Sequence, residues 1–338
     1  MTKIDASSSY HNAGRDYASE VWAEHDTASF APASGARAGY VPAYVKGLAP
    51  IDGHDLLNRQ FPARSTILAP WLPNRGLAMI HAPRGVGKTH LALNIAYAIA
   101  SGSSFLGWQA DQARRVVYID GEMPIALLQA RFKAIDAQAK LKLENPENFK
   151  LVASDYEPDG LPDLSNPESQ KYYDKVLENA EVIVLDNLST LVRGGRENEA
   201  DSWGPVQDWL LNQRRAGRAV VIIHHSGKNG LQRGSSRRED VLDTVIGLKR
   251  PPDYQATQGA RFEVYFEKAR GFFGPDAEPF EARLTEGGEW ITQPLLAGDD
   301  DEQFKLLVES GLSVREVAER TGLSKSTVGR KRKGLGDA

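Results

Sequence analysis

Residues 82–90, Ala82-Pro83-Arg84-Gly85-Val86-Gly87-Lys88-Thr89-His90, hold the chemistry of a polyphosphate cradle. They lie between an apolar run, Leu77 to Ile80, and an amphipathic stretch, Leu91 to Ala100, where a strand would stop and a helix start. A loop in that place turns backbone N–H groups around an anion that also faces the positive end of the helix. Gly85 and Gly87 allow the tight turn, Lys88 supplies a point charge for β- and γ-phosphates, and the Thr89 hydroxyl can ligate the Mg²⁺ that bridges them. Ala82 replaces the glycine that opens the usual G-x-x-x-x-G-K-[ST] pattern and is small enough for it. ATP and Mg²⁺ are therefore the expected cofactors, with 82–90 as the binding stretch.

Further carboxylates, imidazoles and cations sit at strand ends. Val182-Ile-Val-Leu-Asp-Asn187 is an apolar run closing on Asp186, which is expected to hold Mg²⁺ beside Thr89. Val116-Val-Tyr-Ile-Asp120 runs into Gly121-Glu122. ATP hydrolysis needs a carboxylate to orient and partly deprotonate water, and Glu122 is the expected base; the alternative is that it only caps helix 124–137 electrostatically. Ala219 to Ile223 leads into His224-His225-Ser226. Neighbouring strand residues face opposite sides, so one histidine at most can sense the γ-phosphate; His224 is the expected sensor, against a structural role for the pair. In Phe266-Glu-Lys268-Ala-Arg270 both cations leave one strand end toward the same side. That suits fingers that reach a neighbouring subunit's phosphates, or else a solvated strand end.

These groups need a scaffold that brings strand ends to one rim. From about 50 to 295, apolar runs alternate with helical stretches, which predicts an α/β domain with a mostly parallel sheet covered on both faces. Thr244–Leu248, Phe262–Lys268, Phe280–Leu284 and Trp290–Thr292 lack intervening helices and are expected as an antiparallel extension. Residues 1–48, rich in Ser, Ala, Gly and Pro, read as a mobile leader, 49–296 as the ATPase domain and 302–338 as a small all-α domain, with Gly298 and the acidic run after it as a hinge.

The ordered set Ala-Pro-Arg-Gly-Val-Gly-Lys-Thr, Tyr-Ile-Asp-Gly-Glu-Met-Pro, Val-Leu-Asp-Asn-Leu, Ile-His-His-Ser-Gly-Lys, Arg-Gly-Ser-Ser-Arg-Arg-Glu-Asp and Lys-Ala-Arg-Gly resembles the RecA-type ATPases. Within them it is similar to the RepA-like hexameric helicases of plasmids and mobile elements, distant relatives of DnaB. The resemblance covers about residues 50–285. It implies a RecA-like P-loop core, a base after the second strand as at Glu122, a finger after a late strand as at Arg270, and a six-membered ring with ATP between neighbours.

Zero cysteines exclude disulfides, iron–sulfur clusters and cysteine zinc sites, and fit a reducing cytoplasm. The polar stretch Met1 to Asn12 has no apolar h-region, and no stretch reaches eighteen apolar residues, so neither secretion nor membrane contact is expected. A net charge of −4 hides local excess. Residues 227–238 hold Lys228, Arg233, Arg237 and Arg238 with no acid, a segment suited to tracking a single-stranded phosphate backbone in a central pore, unless its arginines pair with Glu239 and Asp240. Arg193 and Arg196 are weaker candidates for the same path. From Gly311 the chain resembles a helix-turn-helix: Ser313 with Glu316 forms a capping box, Ser324 caps the second helix, and Val314, Val317, Ala318, Leu323 and Val328 form a core. Its second helix would present Lys325, Ser326, Thr327, Arg330 and Lys331 to duplex DNA, with Arg332 and Lys333 on phosphates; a protein-docking hairpin is the alternative. The combined expectation is a self-associating, cytoplasmic, ATP-hydrolysing DNA motor. An ATP-switched DNA-binding regulator and a recombination mediator without unwinding are the competing functions.

Overall fold

The computed structural model describes residues 50–61, 63–193, 200–226, 239–295, 301–309, 311–321, 323 and 325–336. The chain divides into two compact units, Met1–Ser65 and Thr66–Ala338. In the first, helix α1 (Gly53–Asn58) is capped by Asp52, whose Oδ1 accepts from Asp55 N at 2.8 Å. The expected leader 1–48 and the hinge at Gly298 lie outside the described residues.

The second unit is built on a nine-stranded sheet. Its parallel body comprises β3 (Leu77–Ala82), β6 (Val116–Asp120), β7 (Phe149–Ala153), β8 (Val182–Asp186), β9 (Ala219–His225) and β10 (Thr244–Lys249), in the order β10-β3-β9-β8-β6-β7. Every residue of β3, β6, β8 and β9 is buried. Parallel strands covered on both faces require such continuous apolar runs, and each fully buried Val, Leu or Ile contributes roughly 1.5–3 kcal/mol. Side chains alternate between the faces: Ala78, Ile80 and Ala82 meet helix α2 (Lys88–Ser101), while Leu77 and Met79 join the opposite layer. That layer holds Tyr173 of α4 (Pro167–Val176), Leu188 of α5 (Leu188–Leu191), and Trp203 and Trp209 of α6 (Ala200–Arg215). Helix α3 (Ile125–Gln138) lies on the α2 side through Leu128.

Beyond β10 the sheet continues as β11 (Arg261–Ala269), β12 (Phe280–Leu284) and β13 (Trp290–Pro294), paired antiparallel. The strand at Thr244–Leu248, expected to be antiparallel, departs from that expectation. Thr244–Lys249 pairs parallel with β3, Thr244 opposite Ala78 and Gly247 opposite His81. The chain leaves β9 at the carboxyl-end rim and re-enters at the amino-end rim, where Asp243 N donates to Leu77 O at 2.7 Å, so β10 must run in the same direction as β3.

A second sheet was not legible in the sequence. It joins β1 (Thr66–Ala69), β2 (Leu72–Pro73), β4 (Ser104–Phe105) and β5 (Trp108–Ala110) in the order β2-β1-β5-β4. Its Trp108 packs edge-on against Trp71 at 5.3 Å, Phe280 at 5.9 Å and Phe266 at 6.3 Å, which braces the antiparallel strands from one side. Toward the carboxyl end, α7 (Asp301–Glu309), α8 (Val314–Thr321) and α9 (Lys325–Gly336) form a three-helix unit around Phe304, Val317, Ala318 and Val328. Glu316 N donates to Ser313 Oγ at 3.3 Å and Ser313 N returns a bond to Glu316 Oε2 at 2.8 Å, the reciprocal pair that fixes the start of α8. Among the described residues no helix is long and apolar enough to cross a membrane.

Candidate functional site

The parallel strands end level with one another. Asp120 stands opposite Asp186, Asp186 opposite Ile223, and Ala82 opposite His225. The ends of β6, β8, β9 and β3 therefore make one rim, and the loop 83–87 rises from it into α2. Gly85 and Gly87 have φ of 75° and 120°, backbone that a side chain would strain. At Gly87 a Cβ would also press to 3.3 Å from Phe262 Cε1. Gly87 is the N-cap of α2 and no side chain caps the helix. Its first N–H groups are thus left to the loop's concave side.

Lys88 begins that helix and is 6% exposed. Its Nζ donates to the carbonyls of Ala82 and Pro83, each at 2.9 Å. Burial lowers its pKa to about 8, against the opposing pull of Asp186 and Glu122 and with a smaller push from Arg84. An ammonium that feels both carboxylates and is kept from water is matched to an arriving polyphosphate. Asp186 is 3% exposed, and burial raises its pKa. Tyr118 Oη donates to its Oδ2 at 2.6 Å, and the Thr89 hydroxyl donates to the same carboxylate. Hydroxyl and carboxylate oxygens side by side are the hard donor set that Mg²⁺ prefers, so Thr89 and Asp186 fit the ion that the loop chemistry implies.

Glu122 lies one turn beyond β6 with its side chain about half exposed. Asn187 Nδ2 donates to its Oε2, and His225 Nε2 stands 3.5 Å from the same oxygen. The turn carrying it is pinned by Asp120, whose Oδ1 accepts from Glu122 N at 2.9 Å and Met123 N at 2.6 Å. Asp120 is 1% exposed and burial raises its pKa to about 7. His225 supplies a second correction: the imidazole that approaches Glu122 is this one and not His224. His224 is fully buried and alternates to the face of Val220 and Ile222, away from α2. Burial lowers the His225 pKa, with the charge on Lys88 adding to the effect. His90, in the first turn of α2, is half-buried, and burial followed by Arg131 brings its pKa to about 4.

At the far end of β11, Lys268 Nζ donates to Glu239 O and Arg270 Nη2 to Asp240 O at 3.3 Å. Burial, then the Arg270 charge, lowers the Lys268 pKa. Both cations thus meet the backbone just past residue 238. Sequence reasoning missed Arg250, whose Nη2 donates to Gly85 O at 2.8 Å and whose guanidinium lies 4.1 Å over the Tyr254 ring. It missed Tyr118 and Asn187 as well. An arginine straight after an apolar run, as at Lys249-Arg250, was the one available signal.

Lys228, Arg233, Arg237, Arg238, Arg196 and Ser324 lie outside the described residues. Arg193 is turned to Leu161 O and its N to Asp163 Oδ1. On α9, Lys325, Ser326 and Arg330 are exposed and Thr327 is half-buried. Lys331 lies 5.7 Å over the Phe304 ring, and Arg332 donates to Leu312 O at 3.1 Å. A cleft of about 510 Å³ lined by Arg115, Lys150 and Lys175 lies at the opposite rim. Arg115 there is paired with Glu181 at 3.2 Å and Lys150 with Glu147 at 2.8 Å.

Compared with known proteins, residues 48–231 match the family described as AAA domain. Among solved structures, the chain is similar to a KaiC-like protein from the hyperthermophilic archaeon Pyrococcus horikoshii OT3. The two are 14% identical, over 69% of this chain and 99% of that one, with a TM-score of 0.49. No curated protein matches.

Proposed function

Because this chain belongs to the AAA domain family of P-loop ATPases, we propose that it hydrolyses ATP at the rim of Lys88, Thr89, Asp186 and Glu122 and works as a ring-forming DNA motor. One observation carries the hydrolytic part. The ends of β3, β6, β8 and β9 lie level, so that Asn187 and His225 both meet Glu122 at the rim that carries Asp186 and the buried Lys88, residues far apart in the chain. Lys88 and the N–H groups of 85–88 bind the β- and γ-phosphates. Thr89 and Asp186 would hold Mg²⁺, which when bound neutralises charge on those phosphates. Glu122, held by Asn187, orients a water and takes its proton as the water oxygen bonds to the γ-phosphorus. The bond from that phosphorus to the bridging oxygen breaks, leaving ADP and phosphate. His225, beside Glu122, is the residue that registers the γ-phosphate.

The motor part is supported by Lys268 and Arg270, cations at one strand end that suit a neighbour's phosphates, by the basic composition of 227–238, and by the exposed polar face of α9. A subunit ring with single-stranded DNA in its pore, and duplex contact through 325–333, is the arrangement these features favour.

The test is ATP turnover, followed by displacement of a strand from a forked duplex. Lys88→Ala should abolish turnover, and Glu122→Gln should lower it by about 10²–10⁴ while nucleotide still binds. Retained turnover in both variants refutes the site. Hydrolysis without strand displacement identifies an ATP-switched DNA-binding regulator or a recombination mediator instead.

A further inference from the structure

Behind the rim, on the face away from α2, two buried polar side chains, His81 and Ser226, and the more exposed Glu267 form a continuous chain across the sheet. His81, in β3, is 2% exposed. Its Nδ1 is 2.8 Å from Ser226 Oγ and its Nε2 2.8 Å from Glu267 Oε2. Ser226 directly follows His225, and Glu267 directly precedes Lys268. The Glu267 pKa is lowered chiefly by its hydrogen bond to His81.

Glu267 belongs to β11, which is not paired with β3; β10 runs between them. The carboxylate reaches His81 because β10 carries Gly247 at the crossing. A Cβ there would collide with Glu267 Oε1 and lie 3.4 Å from His81 Nε2. Glycine inside a strand weakens it and marks a place where something approaches closely. Here the space it leaves is filled by Glu267. His81 and Ser226 are buried, so cutting a member of this chain leaves their polar atoms unpaired in a low-dielectric interior.

We propose that Ser226, His81 and Glu267 form a positioning relay that fixes the His225 end of β9 relative to the Lys268–Arg270 end of β11, with the P-loop strand as its middle member. The relay rests on the reading of the rim as an ATP site and of Lys268 and Arg270 as fingers. Through it, the state of one pocket is transmitted to the cations that serve the next. None of the three touches the nucleotide; they act through His225 and the finger strand.

The experiment measures kcat and KM for ATP in the full chain, with and without a single-stranded oligonucleotide, alongside thermal unfolding. Ser226→Ala and Glu267→Ala should each lower kcat roughly three- to thirtyfold with KM within twofold, the range expected for members of a coupling network. Their double variant should be no slower than the slower single. Ser226→Thr, which keeps a hydroxyl, and Glu267→Gln, which keeps an acceptor for His81, should recover most of the rate. Gly247→Ala, which pushes only the flexible end of Glu267, should lower kcat without lowering the unfolding temperature by more than a few degrees. Single variants at parental kcat, or a double variant whose losses multiply, overturn the relay while leaving the ATP site intact. A parental protein that does not turn over ATP overturns the hydrolytic reading and the relay with it.

Discussion

Tyr118→Phe isolates one hydrogen bond at the heart of the site. Tyr118 is fully buried and stacks on Phe149 with centroids 6.4 Å apart, and phenylalanine keeps the ring and its packing. Only the hydroxyl that donates to Asp186 Oδ2 at 2.6 Å is lost. Asp186 is 3% exposed, so water cannot easily take over. A hydrogen bond to a charged group contributes about 1.5–3 kcal/mol net, more than the 0.5–1.5 kcal/mol of a neutral pair. In a unit of this size each kcal/mol lowers the midpoint by about 2–4 °C, so the variant should melt about 3–12 °C below the parent. Calorimetry or circular dichroism at neutral pH, with urea unfolding for the free energy, gives the number. Added Mg²⁺ and a non-hydrolysable ATP analogue should narrow the gap, because a cation at Thr89 and Asp186 compensates the carboxylate for its missing donor. A variant that melts within about 1 °C of the parent, below the smallest shift this hydrogen bond should cause, refutes the pairing of Tyr118 with Asp186.

Two further outcomes follow from the same geometry. Arg270→Ala should leave nucleotide affinity unchanged and lower turnover by about 10³-fold or more, the usual loss when an arginine finger is removed; normal hydrolysis would show that the cation serves only the Asp240 carbonyl. The Glu267 pKa is lower in the fold than in the unfolded chain, chiefly through His81, so folding releases a proton there. Its stabilising contribution is present in full above the unfolded value of about 4.5 and is lost as pH falls through the lower folded value. The unfolding temperatures of the parent and Glu267→Ala should therefore differ at pH 7 and converge toward pH 3. A gap that stays constant over that range argues against an ionised Glu267 paired with His81.

Much of this protein is written locally. The loop 82–89 shows in the sequence because phosphate binding needs glycines, a lysine and a hydroxyl at fixed near spacing. The strands ending at Asp120 and Asp186 show because burial on both faces demands unbroken β-branched runs. The Ser313–Glu316 box shows because its partners are three residues apart. The small sheet of β1, β2, β4 and β5 did not show: its strands are two to four residues long, too short for a period, and Trp108 finds Phe266 and Phe280 only across the fold. Strand parity was legible, since one histidine of the pair had to face the rim, yet which one depends on the absolute orientation of β9. That orientation is set by neighbouring strands, and they turn His225 to Glu122.

The sequence alone determined the phosphate loop, the alternation of apolar runs with helices, and the identity of the charged groups at strand ends, because each depends on residues a few positions apart. The tertiary structure decided that β10 runs parallel to β3, that Tyr118 and Asn187 hold Asp186 and Glu122, that Arg250 rests on the loop, and that Glu267 passes Gly247 to reach His81. Those contacts join residues 65 to 186 positions apart. The order of strands in the sheet, which no local pattern encodes, is what brings them within a hydrogen bond.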